Sequence, residues 1–232
     1  MDQLLHPEAY AALKLPDQWI EDCMQEYEAA YIVEQTKDCR SVLDLGWGSG
    51  LVAHALFNAD RGVEVVDGST EFCQQAWNAG MIAHHSMFED FQPIGRYDTV
   101  IASFILEHVA DPVKLLMRAR NWADRIIVVV GNANSYHRQL AVKMGLQERL
   151  DTLSDRDRLV GHYRVYSLTT IINDLAKSGW MVTRKHGIQF KPLPNSMMTD
   201  FDPKLIRAMC EIDVPVECAA NLILEARKIC RA

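Results

Sequence analysis

In the stretch Ser41-Val42-Leu43-Asp44-Leu45-Gly46-Trp47-Gly48-Ser49-Gly50, an apolar strand runs straight into three alternating glycines. Leu51, Val52, Ala53 and Ala55 then open a helical pattern. Strand, glycine turn and helix in that order place the turn at the carboxyl end of a strand, where open α/β sheets bind ligands. Glycine has no Cβ, so amide groups in such a turn can lie directly against a ligand. A turn glycine chosen for its backbone angles alone fits the loop equally well, so the remainder of the chain has to decide.

Further short apolar runs at 62–66, 81–84, 97–102 and 125–130 alternate with helical patterns, as does 42–45 itself. The last, Arg125-Ile126-Ile127-Val128-Val129-Val130, has the unbroken apolar character of a strand buried on both faces. The expected fold is therefore α/β: a Rossmann-like, doubly wound, mostly parallel seven-stranded sheet with helices on both faces. Asp111-Pro112 opens a helix through Leu116 and Ala119. Ser167 caps another that ends at Gly179, and 180–190 follows as a strand. Residues 221–227 fit a final strand or the end of a helix. Trp19, Ile20, Cys23, Met24, Tyr27, Tyr31 and Ile32 recur at helical spacing, so residues 1–38 are expected to form an N-terminal helical cover on a domain spanning 39–232. The connections at about 131–166 and 191–219 exceed what a minimal sheet needs and are expected to be substrate-side insertions.

A net charge of −7 argues against sequence-independent nucleic-acid binding, which needs a basic footprint, and leaves a small molecule as the expected partner. The densest apolar run, 126–130, is far too short to cross a bilayer, so no membrane partner is expected. Met1 is followed by Asp2 and Gln3, not by a basic and then apolar leader, so a cytoplasmic location is expected. The six cysteines form no C-x-x-C pair, which suits reduced thiols and not a zinc site. His84 and His85 are strand neighbours that face opposite ways and cannot chelate one ion, so no metal is expected.

Asp67 closes the strand Val63–Val66, 21 positions beyond Gly46, where a carboxylate can accept two hydrogen bonds from ribose hydroxyls. As an alternative it is a turn residue ahead of a helix cap at Ser69. Gly48-Ser49-Gly50-Leu51-Val52-Ala53 satisfies G-x-G-x-x-A, which keeps an NAD-dependent oxidoreductase open. The register of Asp44, two residues before the first of three alternating glycines, instead resembles motif I (D-x-G-x-G-x-G) of the class I S-adenosylmethionine (SAM)-dependent methyltransferases. Tyr97-Asp98-Thr99-Val100-Ile101-Ala102-Ser103 is similar to that family's fourth-strand motif. Ile105-Leu106-Glu107-His108-Val109-Ala110-Asp111-Pro112 resembles the L-E-H-V-x-D-P signature of its small-molecule branch. Met87-Phe88-Glu89-Asp90 falls where members contact adenine. The likeness runs from about residue 40 to 130 with the motifs in the family's order, and departs from it at the bulky Trp47.

The resemblance implies SAM as cofactor and S-adenosylhomocysteine as its product, without a metal. It implies cofactor contacts at Asp44, Gly46, Gly48, Gly50, Asp67, Gly68, Met87, Phe88, Glu89 and Ser103, with Tyr27 closing over the site. A non-catalytic SAM-binding protein on the same fold is the third reading.

An alcohol acceptor gains from a general base, and His108, His137 and His162 are the candidates. Asn132–Arg138, Gly161–Tyr166 and Lys191-Pro192-Leu193-Pro194-Asn195 resemble a narrower bacterial group, from surface-polysaccharide and specialised-metabolite pathways. His137, Arg138, His162, Arg164 and Lys191 bring cationic or proton-transferring groups to presumed substrate-side segments. Converging on one pocket, they would suit an anionic acceptor such as a sugar, sugar nucleotide or specialised metabolite, with oxygen favoured over nitrogen. Tyr31, Asn134, Arg138, Tyr163, Arg164, Tyr166 and Lys191 are the expected substrate contacts. The plainer alternatives are ion pairs of Arg138 and Arg164 with Asp151, Asp155 or Asp157, a packing role for His108, and an apolar seam for Tyr27 and Tyr31.

Overall fold

The computed structural model describes residues 6–229. Two helices lead, α1 (Pro7–Ala11) and α2 (Gln18–Gln35). An alternating run follows: β1 (Ser41–Leu45), α3 (Leu51–Asn58), β2 (Gly62–Asp67), α4 (Thr70–Asn78), β3 (Ile82–His85), β4 (Thr99–Ser103), α5 (Pro112–Trp122) and β5 (Arg125–Gly131). The chain then forms α6 (Tyr136–Lys143), α7 (Asp155–Leu159), α8 (Leu168–Lys177), β6 (Trp180–Ile188), α9 (Pro203–Cys210) and β7 (Asn221–Lys228), with a 3-10 turn at Asn195–Met197.

The sheet order is β3-β2-β1-β4-β5-β7-β6. All neighbours pair in parallel except β7, which runs antiparallel to β5 on one side and β6 on the other. Strand order reverses between β1 and β4, which opens a crevice at their carboxyl ends. The expected doubly wound, mostly parallel seven-stranded sheet is the one observed. Successive side chains point to opposite faces of a strand, and β5 shows the result. Ile126, Val128 and Val130 join Leu43, Leu45, Leu116 and Leu175 in one core, while Ile127 and Val129 join Val42, Ala53, Leu56 and Ile32 in the other. That double burial explains the unbroken apolar run. A third cluster packs Ile20, Cys23 and Met24 of α2 on Ile206, Met209 and Cys210 of α9.

The helical segment expected over residues 1–38 comprises two helices, and its part over 1–5 lies outside the described residues. Pro7 starts α1, and Pro16 pushes the residue before it out of helical angles, so 12–17 turns before α2 begins. The choice left open for 221–227 resolves as strand. β6 stops at Ile188 because Gln189 takes φ +73° and turns its amide to the Met24 carbonyl and to Glu28.

Glu28 is fully buried on α2, accepting from Asn221 and Gln189 through one oxygen while the other has no partner among the described residues. Burial pushes its acid up to about 8, so the folded protein holds it neutral at pH 7. The unfolded chain ionises from about pH 4.5. Stability from this group is therefore complete below pH 4.5 and is lost as pH rises towards 8. Glu28→Gln removes that slope. It should leave Tm near the parent value at pH 5 and raise it by roughly 7–14 °C at pH 8, read by thermal denaturation at both pH values.

Candidate functional site

A cavity of about 690 Å³ opens over the carboxyl ends of β1, β2 and β4. Its floor begins with the glycine loop, where Gly46, Gly48 and Gly50 all have positive φ (+82°, +54° and +75°). Each glycine makes room for something different. A Cβ on Gly46 would lie 2.7 Å from Ile105 Cδ1, and one on Gly50 would lie 2.5 Å from the Trp47 indole. A Cβ on Gly48 would meet nothing within 4 Å, so here the bare backbone faces open cavity. Gly50 itself lies off the cavity wall. The Trp47 side chain is buried, donating to Gln75 Oε1 at 3.0 Å and packing edge-on to His54. Its indole thus braces the loop against α3 and α4, which answers the departure at that position. Gly50→Ala should cost about 1–2 kcal/mol from the left-handed backbone alone, with the clash against the indole added, whereas Gly48→Ala should pay the backbone cost only. Urea unfolding of both variants compares the two.

Two carboxylates face this space. Asp67, at the end of β2, accepts from the Trp47 amide at 2.8 Å and the Ser69 amide at 2.7 Å. Burial raises its acid above the ordinary range, against the pull of those two amides. Asp44, near the end of β1, is buried and has no hydrogen-bond donor among the described residues. Burial, and then the charge of Asp67, push its acid well above ordinary values. A buried, unpartnered carboxyl aimed into a cavity suits a cationic ligand. Gly68, Met87, Phe88, Glu89 and Ser103 continue the wall. Space at Gly68 is limiting, since a Cβ there would lie 2.8 Å from Pro7 and 2.9 Å from Met87 Sδ.

The N-terminal segment forms the opposite wall. Glu8 accepts from the Ser69 hydroxyl and the Thr70 amide, which fixes α1 to the first turn of α4. Tyr10 packs edge-on to Phe72 and His108, with ring centroids 6.3 and 5.3 Å apart. Leu13, Lys14, Leu15, Gln18, Asp22 and Gln25 complete this side. Glu8, Tyr10 and the wall residues from Leu13 to Gln25 are not singled out by the sequence, where residues 1–38 read as a helical cover with no turn placed to bring Tyr10, Leu13 and Leu15 to the cavity. The Leu15-Pro16 pair was the available signal.

His108 is the one candidate base on the cavity wall. Burial, with the neighbouring His162, pushes it down to about 3, so the ring is neutral at pH 7. His162 stands behind it, nearly perpendicular, with centroids 4.6 Å apart. Its Nδ1 lies 3.0 Å from Asp157 Oδ1. Burial works to raise the Asp157 acid, yet His162, Arg138 and Ser154 together hold it below the ordinary range. His137 lies off the cavity; its Nδ1 has no partner among the described residues, and burial pushes it well below the usual histidine range.

The cations expected to converge on the acceptor are engaged elsewhere. Arg138 pairs with Asp157 and donates to the Leu150 and Thr152 carbonyls, as the ion-pair alternative held. Arg164 donates to the carbonyls of Leu106, Val109 and Ala110, which secures the turn carrying His108. Lys191 sits away from the cavity, its ammonium pushed down in pKa by burial. Tyr166 is buried and donates to Asp174, Tyr163 packs under the Arg164 guanidinium, and Asn134 is exposed. Tyr27 donates to Glu211 and Tyr31 stacks on His186, so neither reaches the cavity. Glu107 is buried and accepts from the Gly131 amide, a structural role. His84 pairs with Glu64 while His85 faces Gly68 O. Among the described residues no group of three or more His, Cys, Asp or Glu is arranged to hold a metal ion. No described helix is long and apolar enough to cross a membrane.

A seven-stranded sheet of this order, with a glycine loop after β1 and an acid closing β2, has the fold of the class I SAM-dependent methyltransferases. Residues 14–185 match the family described as "Methyltransferase domain", and the chain belongs to that family. Among solved structures it is similar to magnesium protoporphyrin IX methyltransferase from Synechocystis PCC 6803, at 16% identity and TM-score 0.64, covering 94% of this chain and 89% of that one. It is also similar to the 1,6-didemethyltoxoflavin-N1-methyltransferase of Burkholderia thailandensis, at 15% identity, TM-score 0.58, and 90% and 79% coverage. A third likeness is to the mitomycin 7-O-methyltransferase, at 16% identity, TM-score 0.60, and 89% and 54% coverage. No curated protein matches the sequence.

Proposed function

We propose that the cavity binds SAM and that the protein transfers its methyl group to an oxygen of a small metabolite. The observation that carries this reading is the buried Asp44 carboxyl without a partner beside the open backbone of Gly48 and the Asp67 carboxylate. Asp44 answers a cationic ammonium, Asp67 the ribose hydroxyls, and Met87, Phe88 and Glu89 the adenine. When bound, SAM supplies a methyl group made electrophilic by its sulfonium. The chain's own work is to align the acceptor, exclude water and receive the acceptor's proton. His108 is the proposed proton acceptor, since a neutral imidazole on the wall can take a hydrogen bond from a hydroxyl.

The solved relatives named above include one that methylates oxygen and one that methylates nitrogen. The neutral His108 favours oxygen, because an amine nucleophile has less need of a base. An NAD-dependent oxidoreductase fits less well. A pyrophosphate would have to lie beside two carboxylates, and Gly50, which opens α3, is covered by the Trp47 indole. Calorimetry should give micromolar or tighter binding of S-adenosylhomocysteine and none of NAD. Transfer of a labelled methyl group to a metabolite pool then separates an enzyme from a SAM-binding protein without activity.

A further inference from the structure

We infer that the acceptor is an apolar ring compound carrying an acidic hydroxyl, a phenol or an enol, and that saturated sugars and sugar nucleotides are excluded. The inference rests on the methyl-transfer reading and narrows its substrate. Beyond the glycine loop and the β-strand ends, the apolar part of the cavity wall is made by Tyr10, which packs on His108, and by Leu13, Leu15, Val109, Ala110 and Val160. Of the polar side chains that α2 adds, Gln18 donates to Asp22, and Gln25 accepts from the Ser49 hydroxyl of the glycine loop. A sugar carries a hydroxyl on nearly every carbon, and each one buried without a partner costs about 1–3 kcal/mol. A diphosphate fares worse. Among the described residues Lys14 is the one lysine or arginine on the wall, and Arg138 and Arg164 spend their donors on Asp157 and on carbonyls.

Base strength points the same way. In the transfer the acceptor's O–H bond breaks and its proton goes to the His108 ring, while its oxygen gains the methyl group. The bond from that methyl to the sulfonium sulfur breaks in the same step, the electron pair staying on sulfur and S-adenosylhomocysteine leaving as a neutral thioether. His108 is packed between the Tyr10 and His162 rings, which keeps it neutral and weakly basic. A saturated alcohol, with a pKa like that of water near ~16, is far out of its reach. A phenol, near ~10 as in tyrosine, is much closer, and conjugated enols are more acidic still.

The test uses 2-naphthol, methyl α-glucoside and UDP-glucose as probes, titrated by calorimetry into protein saturated with S-adenosylhomocysteine. Micromolar binding of 2-naphthol, with binding of the other two at least 100-fold weaker, is expected. Ala110→Trp and, separately, Leu13→Trp should reduce 2-naphthol binding at least tenfold while leaving S-adenosylhomocysteine binding within threefold, which also reports an intact fold. Equal or tighter binding of either sugar probe overturns the inference, as does 2-naphthol binding that neither tryptophan disturbs. A protein that fails to bind S-adenosylhomocysteine at all fails at the earlier step and removes the methyl-transfer reading along with this one.

Discussion

Asp67→Asn should weaken S-adenosylhomocysteine binding by about 100-fold or more, while the protein stays folded. The carboxylate has two tasks, and asparagine can perform neither in full. Toward the protein it accepts the Trp47 and Ser69 amides, one with each oxygen, which fixes the glycine loop to the start of α4. Asparagine has one acceptor and turns an amide N–H toward the second donor. Toward the ligand the carboxylate is proposed to accept two ribose hydroxyls. Hydrogen bonds to a charged group contribute about 1.5–3 kcal/mol each, and every 1.4 kcal/mol is tenfold in affinity. Calorimetry on the variant, with thermal denaturation alongside, reads the result. Affinity within threefold of the parent would mean that the sugar is held elsewhere.

His108→Phe should lower kcat by 10²- to 10⁴-fold on the first acceptor identified, with S-adenosylhomocysteine affinity nearly unchanged. The aromatic replacement keeps a ring to pack edge-on with Tyr10 and His162 and removes both ring nitrogens, including the one that would take the proton. The pH dependence gives a second check. With its pKa near 3, His108 is already in its proton-accepting form at pH 5 and stays so above it. The parent's rate should therefore show no rising limb from this histidine between pH 5 and 8, and any limb there should persist in a variant altered only at His108. A limb near pH 6.5 that disappears with His108 would show that the ring titrates like an ordinary histidine and is not sealed from water.

The sheet was legible because its signals are local and repeated. β5 announces burial on both faces by composition alone, and Asp111-Pro112 and Ser167 mark helix starts through bonds made within one turn. The floor of the site was legible for a related reason. Gly46, Gly48 and Asp67 are neighbours through one β-α-β unit, so sequence spacing maps directly onto distance. The far wall was not. A cluster of cations in sequence says nothing about which anions the fold brings to them, and Asp157 with the carbonyls of 106–110 claimed Arg138 and Arg164. Nor does periodicity in α2 disclose that Pro16 turns residues 10–15 inward. Tyr27 and Tyr31 kept the expected helical spacing but faced α9 and β6 instead of the cavity.

The Glu8 clasp on the start of α4 bears on the order of traffic through the cavity. The segment from Pro7 to Gln18, held through Glu8 on Ser69 and Thr70, lines the same cavity as the glycine loop and the turn around His108. With the donor seated on the glycine loop and the acceptor on the His108 side, as proposed, the donor would arrive first and depart last. Steady-state kinetics should then be sequential and ordered, with S-adenosylhomocysteine competing against the donor and not against the acceptor.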